Sequence, residues 1–205
     1  MGNGLYTGEM NLIKNKYSDF ASHLLAWYDG CSCNFPWRDC KDPYKIYLSE
    51  VMLQQTQVST VLPYYQKWIQ KYPTIQSVAN ATQEQILKQW EGLGYYGRAR
   101  NFHKSCKIIL DNMGGIISSN PEEFSKLPGV GPYISAAVMS IAFQHPQPAV
   151  DANAIRIGAR MEMVDLPYPK NLNIISNYFD NHIPIERPGD FNQAIMDLGR
   201  KICSA

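Results

Sequence analysis

Two acidic residues stand in surroundings that would hold their side chains in opposite protonation states. Glu50 is the one charged residue between Ile46 and Tyr65, and its apolar neighbours would raise the pKa of its carboxyl by desolvation. Asp151 follows the apolar pair Ala149–Val150 at the predicted start of a helix, whose partial positive charge favours the ionised form. One protonated and one ionised carboxyl can together cleave a glycosidic bond. Each residue alone is also typical of an ordinary helix surface or helix N-cap.

A short glycine-containing turn, Leu127–Gly131, separates two predicted helices. Gly129 and Gly131 permit backbone conformations closed to other residues, so the amide groups of the turn, including that of Val130, can approach an anion. The helix that follows adds unpaired N–H groups and a partial positive charge. The turn therefore suits a phosphate group, and it is also a candidate site for a monovalent cation. The alternative is a helix corner whose glycines serve only the turn.

Helical spacing and helix start signals recur along nearly the whole chain, and no strictly alternating stretch predicts a strand. We therefore expect an all-α fold of about ten short helices. Gln144–Pro148 resembles a linker. The helices that we can place cover Leu12–Asp29, Asp42–Gln55, Thr82–Gly92, Gly97–Asn112, Asn120–Lys126, Pro132–Phe143, Val150–Met163, Asn171–Asn181 and Pro188–Ile202.

Bulk composition is that of an ordinary globular protein: 205 residues, 45% hydrophobic, with a net charge of +1. No apolar run reaches the roughly 18–20 residues that cross a bilayer, and the N-terminus shows no secretory signal. We expect a location in the cytosol at the nucleoid, or in a nucleus or organelle in a eukaryote, and no membrane partner. Five irregularly spaced cysteines favour free thiols. A basic run could be a solvated helix face or a nucleic-acid contact: Arg98, Arg100, His103, Lys104 and Lys107.

Taken with the segment Val150–Asn153, the turn resembles the helix-hairpin-helix DNA glycosylase superfamily. Further segments resemble its MutY-type adenine DNA glycosylases: Pro36–Arg38, Asp42–Lys45, Ser49–Thr56, Gly92–Tyr96, Arg98, Arg100–Asn101, Phe191–Ala194 and Asp197–Gly199. The resemblance runs from about Phe20 to Cys203. It implies an HhH-GPD fold with two helical lobes and a cleft between them. One lobe would cover 36–145, with the helix-hairpin-helix at 121–143, and the other 11–35 plus 146–205.

The same resemblance implies roles in base excision repair. Glu50 would protonate N7 of an adenine mispaired with 8-oxoguanine or guanine, and Asp151 would stabilise the cationic sugar, supported by Asn153 and Tyr133. Bifunctional members carry a lysine two residues after the second hairpin glycine. Tyr133 stands there and cannot form a Schiff base. We therefore expect a monofunctional enzyme that uses water and leaves an abasic site.

Reaching a base inside a duplex requires flipping it out and filling the gap. By resemblance, Gln54, Gln55 and Thr56 intercalate, and Tyr95 is a wedge beside the opposite base, with Leu93 in the same segment. Arg38 and Gln193 would line the adenine pocket, where an amide can read the adenine edge. Double-stranded DNA with a mispaired base is the expected partner of a monomeric protein.

Three positions depart from the family pattern. Cys203 matches the first ligand of the family's [4Fe–4S] cluster, but the other ligands are absent, which favours a fragment truncated before the cluster loop and the C-terminal domain. Cys33 stands where relatives can have an arginine, and Ala152 is typical of thymine–guanine mismatch glycosylases. A thymine or uracil mismatch glycosylase therefore stays open as an alternative. A helix-hairpin-helix module that only binds DNA is another, although it would have no use for a buried Glu50.

Overall fold

A computed structural model describes residues 20–31 and 34–203, and that part of the chain is helical with no strand. Its helices are α1 (20–30), α2 (Pro43–Leu53), α3 (Val58–Lys71), α4 (Ile75–Ala79), α5 (Gln83–Trp90), α6 (Tyr96–Asn112), α7 (Pro121–Ser125), α8 (Pro132–Phe143), α9 (Ala152–Met161), α10 (Leu172–Asp180) and α11 (Pro188–Lys201). None of these helices is long and apolar enough to cross a membrane. The prediction of an all-α fold is confirmed.

Polar residues begin several helices where the sequence predicted a start. Asp42 accepts a hydrogen bond from the Tyr44 amide at 3.0 Å and caps α2. Thr82 and Gln85 form the reciprocal capping box of α5, with bonds of 3.2 and 2.9 Å. The helix expected from Leu12 begins outside the described residues. Two helices, α3 and α4, were not predicted individually.

The described residues divide into two compact units. We call 34–143 the hairpin unit, and 20–31 together with 144–203 the terminal unit. The lobes expected at 36–145 and at 11–35 plus 146–205 have internal boundaries within four residues of these, and residues 11–19 lie outside the described part.

In the hairpin unit, α2 is buried on nearly all sides and packs against α3, α6 and α8. Aromatic rings fill the space around it. Tyr47 lies 4.9 Å from Phe102 and 5.2 Å from Phe124 between ring centroids, and Trp68 contacts Trp90 edge to face at 5.6 Å. Such pairs add to the stabilisation that burial of the rings supplies. α2 is therefore a rigid support for any side chain that it carries.

In the terminal unit, α9 packs against α10 and α11 around an apolar core. Gly158 allows the close approach of α9 and α10, because a Cβ there would lie 2.7 Å from Cγ2 of Ile175 and 3.1 Å from the ring of Phe179. The core cluster is formed by Leu24, Ala154, Ile157, Ile175, Tyr178, Phe179, Phe191, Ala194 and Ile195. This packing fixes the start of α9, where Asp151 stands.

Candidate active site

Glu50 lies on α2 with 4% of its surface exposed, as its uncharged surroundings predicted. Tyr133, in the first turn of α8, donates a hydrogen bond from its hydroxyl to Glu50 Oε2 at 2.7 Å. A tyrosine hydroxyl can accept as well as donate, so the pair can persist when the carboxyl gains a proton. The arrangement holds the carboxyl in one place in either protonation state, which suits a general acid.

Asp151 is the N-cap of α9, as predicted. Its Oδ1 accepts the Ala154 amide at 2.8 Å, and its Oδ2 accepts the side-chain amide of Asn153 at 2.7 Å. Burial nevertheless raises the pKa of the Asp151 carboxyl above its usual range, and it outweighs these hydrogen bonds and the charge of Arg156. The helix start alone predicted the opposite direction, because the side chains that desolvate Asp151 could not be foreseen from its local sequence.

Asn153 is itself held by a second layer of contacts in the terminal unit. Its Oδ1 accepts a hydrogen bond from Arg156 Nη2 at 2.9 Å, and the same nitrogen donates to the Gly199 carbonyl at 2.9 Å. A Cβ on Gly199 would lie 2.7 Å from both Cγ and Oδ1 of Asn153. The absence of a side chain at Gly199 therefore leaves the space in which Asn153 supports Asp151.

Tyr133 was predicted to support Asp151 together with Asn153. Asn153 bonds to Asp151, and the Tyr133 hydroxyl donates to Glu50. The packing of α8 against α2 in the hairpin unit brings the first turn of α8 to the carboxyl carried by α2. A role of Tyr133 toward Asp151 stays a prediction.

The turn 127–131 joins α7 to α8 and is anchored on α6. Gly129 has a left-handed φ of +78°, and a Cβ there would lie 2.8 Å from Cβ of Asn101. Ser105 Oγ donates to the Pro128 carbonyl at 2.9 Å. The side chains of Leu127 and Val130 are buried, whereas the backbone at Gly129 and Gly131 is exposed and can meet a ligand.

The sequence predicted backbone conformations closed to other residues at both Gly129 and Gly131, but Gly131 does not adopt one. Its φ is not in the left-handed region, and a Cβ there would meet open space. The first helical bond of α8 runs from the Ser135 amide to the Gly131 carbonyl at 3.0 Å. The turn therefore needs Gly129 for its backbone conformation. Gly131, which has no side chain, leaves the start of α8 accessible.

Two further turns of the hairpin unit carry the residues predicted to probe DNA. Gln55, after the end of α2, has a φ of +54°, and Tyr95, before α6, has a φ of +47°. Both side chains are exposed, Tyr95 by 60%. Leu93 is 4% exposed and packs in the core, so its side chain does not reach solvent as a base contact would require. Tyr96, the next residue, is also exposed.

Arg98 lies between these two turns, and sequence reasoning missed its role. The sequence left the basic run open between a solvated face and a nucleic-acid contact, but the Arg98 guanidinium donates to carbonyl groups of both turns. His103 is buried as well and bonds to the Ala81 carbonyl. The exposed basic residues of α6 are Arg100, Lys104 and Lys107, which recur on one face of the helix.

Arg38 and Gln193, predicted for the base pocket, lie in different units. Arg38 is half-buried and follows Trp37, whose ring stacks on Phe35 at 5.4 Å. Gln193 is 4% exposed on α11. Its neighbour Asn192 bonds to the Ala149 amide at 3.0 Å and to the Gln147 carbonyl at 2.8 Å, which fixes the chain that leads to Asp151.

Comparison with known proteins identifies the family. Residues 48–175, more than half of the chain, match the HhH-GPD superfamily of base excision DNA repair proteins. The chain belongs to this superfamily. Its helix-hairpin-helix is α7, the turn and α8.

Curated HhH-GPD relatives include adenine DNA glycosylases. The chain is 38% identical to that of Mus musculus over 90% of this chain and 38% of the relative, and 37% identical to that of Buchnera aphidicola subsp. Baizongia pistaciae over 90% and 53%. It thus spans about half or less of the relatives' length. Among solved structures, a thermostable thymine-DNA glycosylase superposes with a TM-score of 0.82 at 30% identity, covering 93% of this chain and 89% of that chain.

The prediction that the iron–sulfur cluster site is incomplete in this chain stays a prediction. No group of three or more potential metal ligands occurs among the described residues. Cys203 is half-buried; Arg160 Nη1 donates to its Sγ at 2.6 Å, and Arg156 Nε donates to its carbonyl at 2.6 Å. One thiol does not hold an iron–sulfur cluster. Cys33 lies outside the described residues, and Ala152 is exposed on the first turn of α9.

Proposed function

We propose that this chain is the catalytic part of a monofunctional adenine DNA glycosylase, which hydrolyses the N-glycosidic bond of adenine paired with 8-oxoguanine or guanine. The buried Glu50 and its 2.7 Å hydrogen bond to Tyr133 carry the proposal. The 37–38% identity to adenine DNA glycosylases over 90% of the chain supports this substrate.

Glu50 is the proposed general acid. Adenine leaves poorly unless a ring nitrogen gains a proton, so the acid must hold a proton near neutral pH. A carboxyl that is almost fully withdrawn from water favours its neutral form, and Tyr133 keeps the group oriented. Transfer of that proton to N7 would neutralise the departing base.

Asp151 is the proposed partner of the sugar. As the C1′–N9 bond breaks, positive charge develops on the sugar ring, and a fixed carboxylate stabilises that charge. The Ala154 amide and the Asn153 side chain each hold one oxygen of Asp151, so little reorientation is needed during the reaction.

Water is the proposed nucleophile, and an abasic site is the product. A lysine at position 133 could attack the sugar and go on to cleave the strand, whereas a tyrosine hydroxyl cannot form a Schiff base. Tyr133 already serves Glu50.

Double-stranded DNA is the proposed partner of a monomer. The backbone of the turn 127–131 and the uncovered start of α8 suit a phosphate, and the open space at Gly131 would let a phosphate approach. The exposed face of Arg100, Lys104 and Lys107 would add sequence-independent attraction. A monovalent cation at the turn stays a prediction.

Single-turnover assays test the proposal on duplexes with adenine opposite 8-oxoguanine and opposite guanine. Glu50→Gln should slow release by roughly 10²–10⁴-fold, and Asp151→Asn by about 10²–10³-fold. Asp111→Asn, an exposed acid on α6, is the matched control and should excise at the wild-type rate. No adenine release by the wild type, or undiminished release by Asp151→Asn, would refute it. Covalent trapping by borohydride would refute the monofunctional mechanism.

A mismatch thymine or uracil glycosylase is the second candidate. The likeness to a thymine-DNA glycosylase over 89% of that chain favours it, as does Ala152. Duplexes with thymine or uracil opposite guanine, assayed alongside, distinguish the two. Faster release from those duplexes than from adenine mispairs would support this candidate instead.

A further inference from the structure

We propose that Arg98 is a positioning residue that locks two DNA-probing turns into one arrangement without touching DNA itself. The turns are Gln54–Thr56, after α2, and Leu93–Tyr95, before α6. This inference rests on the proposed function, since it concerns how a base is made accessible.

The Nη1 group of Arg98 caps the C-terminal end of α2. Arg98 Nη1 donates to the carbonyls of Val51 at 3.1 Å and Met52 at 2.8 Å, and to that of Gln54. The last carbonyls of a helix have no partner within it, and a cation is favoured beside them. Arg98 thereby fixes the point at which the chain turns into the left-handed Gln55.

The Nη2 group of Arg98 holds the second turn. Arg98 Nη2 donates to the carbonyls of Leu93 and Gly94, each at 3.3 Å, and to Thr56 Oγ1 at 3.1 Å. The guanidinium also lies over the rings of Trp90 at 5.6 Å and Tyr95 at 5.2 Å. One planar group therefore bridges both turns.

Both turns depend on support from their surroundings. Gln55 and Tyr95 have left-handed backbones that non-glycine residues adopt rarely. Such conformations persist only where neighbouring contacts hold them. Arg98 contacts Tyr95 directly and holds the carbonyl that precedes Gln55.

A phosphate contact by Arg98 is disfavoured by the same geometry. Its terminal nitrogens are directed at six protein acceptors, and burial lowers the pKa of the guanidinium. Arg100, two residues on, is exposed. Lysine could not replace Arg98, because one ammonium cannot reach acceptors on both sides of a planar fork.

Arg98→Lys, with Arg200→Lys at an exposed arginine on α11 as the matched control, tests the proposal in single-turnover assays. Two duplexes are used: adenine opposite 8-oxoguanine, and adenine opposite a tetrahydrofuran abasic analogue, where less pairing must be broken. Arg98→Lys should bind both duplexes within about threefold of the wild type, because no phosphate contact is lost. It should excise the paired adenine roughly ten- to a hundredfold more slowly. On the unpaired adenine the deficit should shrink to about threefold, and Arg200→Lys should excise both at the wild-type rate.

Equal loss on both duplexes would overturn the proposal, because a merely structural role would affect both alike. Loss of affinity with an unchanged excision rate would also overturn it, in favour of a phosphate contact. If Arg98→Lys does not fold, Thr56→Val removes one acceptor of the guanidinium and should shift the two rates in the same direction to a smaller extent.

A 2-aminopurine reporter in place of the target base separates this proposal from the proposed function. If the wild type excises nothing, the proposed function fails. The fluorescence then reports opening alone: opening by the wild type and not by Arg98→Lys supports the positioning role, and equal opening or no opening by either overturns it.

Discussion

Gly199→Ala tests whether the terminal unit holds Asp151 through its packing. The added Cβ would clash with Cβ of Asn153 and lie 2.7 Å from its Cγ and Oδ1, whereas carbon atoms in contact are about 3.5–4.0 Å apart. A rotation of the Asn153 side chain cannot move its Cβ, so α9 and α11 must separate by about 1 Å. Gly199 lies within α11 at an ordinary helical φ, so the new side chain brings no backbone strain of its own.

The expected cost follows from opposing contributions. Overpacking costs about 1–3 kcal/mol, and losing the hydrogen bond between Asn153 and Arg156 adds about 1 kcal/mol. Replacing a helical glycine by alanine returns about 1 kcal/mol. The net destabilisation should be about 1–3 kcal/mol. If Asn153 moves, Oδ2 of Asp151 loses the hydrogen bond that orients it. Excision should then slow by up to about a hundredfold.

Urea unfolding and single-turnover excision of adenine opposite 8-oxoguanine measure the two effects. Gly30→Ala is the control in the same unit, since a Cβ there meets nothing within 4 Å; it should not lower stability and should leave the excision rate unchanged. The reasoning is wrong if Gly199→Ala unfolds at the wild-type urea concentration and excises at the wild-type rate. Slower excision at unchanged stability would show that the shift displaces Asn153 from Asp151 without weakening the packing of the unit.

Three further predictions concern Glu50, Asp151 and the basic face of α6. Tyr133→Phe removes the hydrogen bond to Glu50, which becomes a carboxylate as it gives up its proton. A hydrogen bond to a charged group contributes about 1.5–3 kcal/mol, so single-turnover excision should slow by about ten- to a hundredfold. An unchanged rate would contradict a role for this bond. Because burial raises the pKa of Asp151, the folded state loses stability as pH rises from the ordinary value of 3.8 through the raised pKa. Urea titrations should therefore show the stability of Asp151→Asn relative to wild type increasing with pH across that window, and a constant difference would count against it. The double change Lys104→Gln and Lys107→Gln should weaken DNA binding and reduce the slope of log K against log salt by about 2, without changing the excision rate; an unchanged slope would remove this face from the interface.

Local signals in the sequence were sufficient for the elements that begin with a side-chain cap. Asp42 and Thr82 accept the amide bonds that their positions predicted. α3 escaped prediction because Gln57 makes no side-chain cap and Pro63 lies inside the helix. α4 has a capping box at Thr74, but with five residues it is too short to show a period.

The candidate site was predictable where a residue's role depends on its own neighbours. Glu50 is buried because the residues around it on α2, from Ile46 to Met52, are otherwise uncharged and are buried, and the sequence shows this pattern. Arg98 could not be interpreted in this way, because several of its acceptors lie more than forty positions earlier in the chain. Gly199 is similar, since its requirement comes from Asn153 on another helix.

α6 connects the turn 127–131, the candidate phosphate site, to the turn Leu93–Tyr95, and it is one continuous helix. Tyr95 precedes its first residue, and Asn101 and Ser105 hold the turn 127–131 from its middle. At about 1.5 Å per residue, the helix sets roughly 15 Å between Tyr95 and Ser105. The rise of this helix would therefore fix the distance along DNA between the phosphate held at the turn 127–131 and the base step that Tyr95 contacts. Inserting one residue between Arg98 and Asn101 would rotate one end of α6 by about 100° relative to the other. The turn 127–131 and Tyr95 would then no longer be aligned on the same DNA.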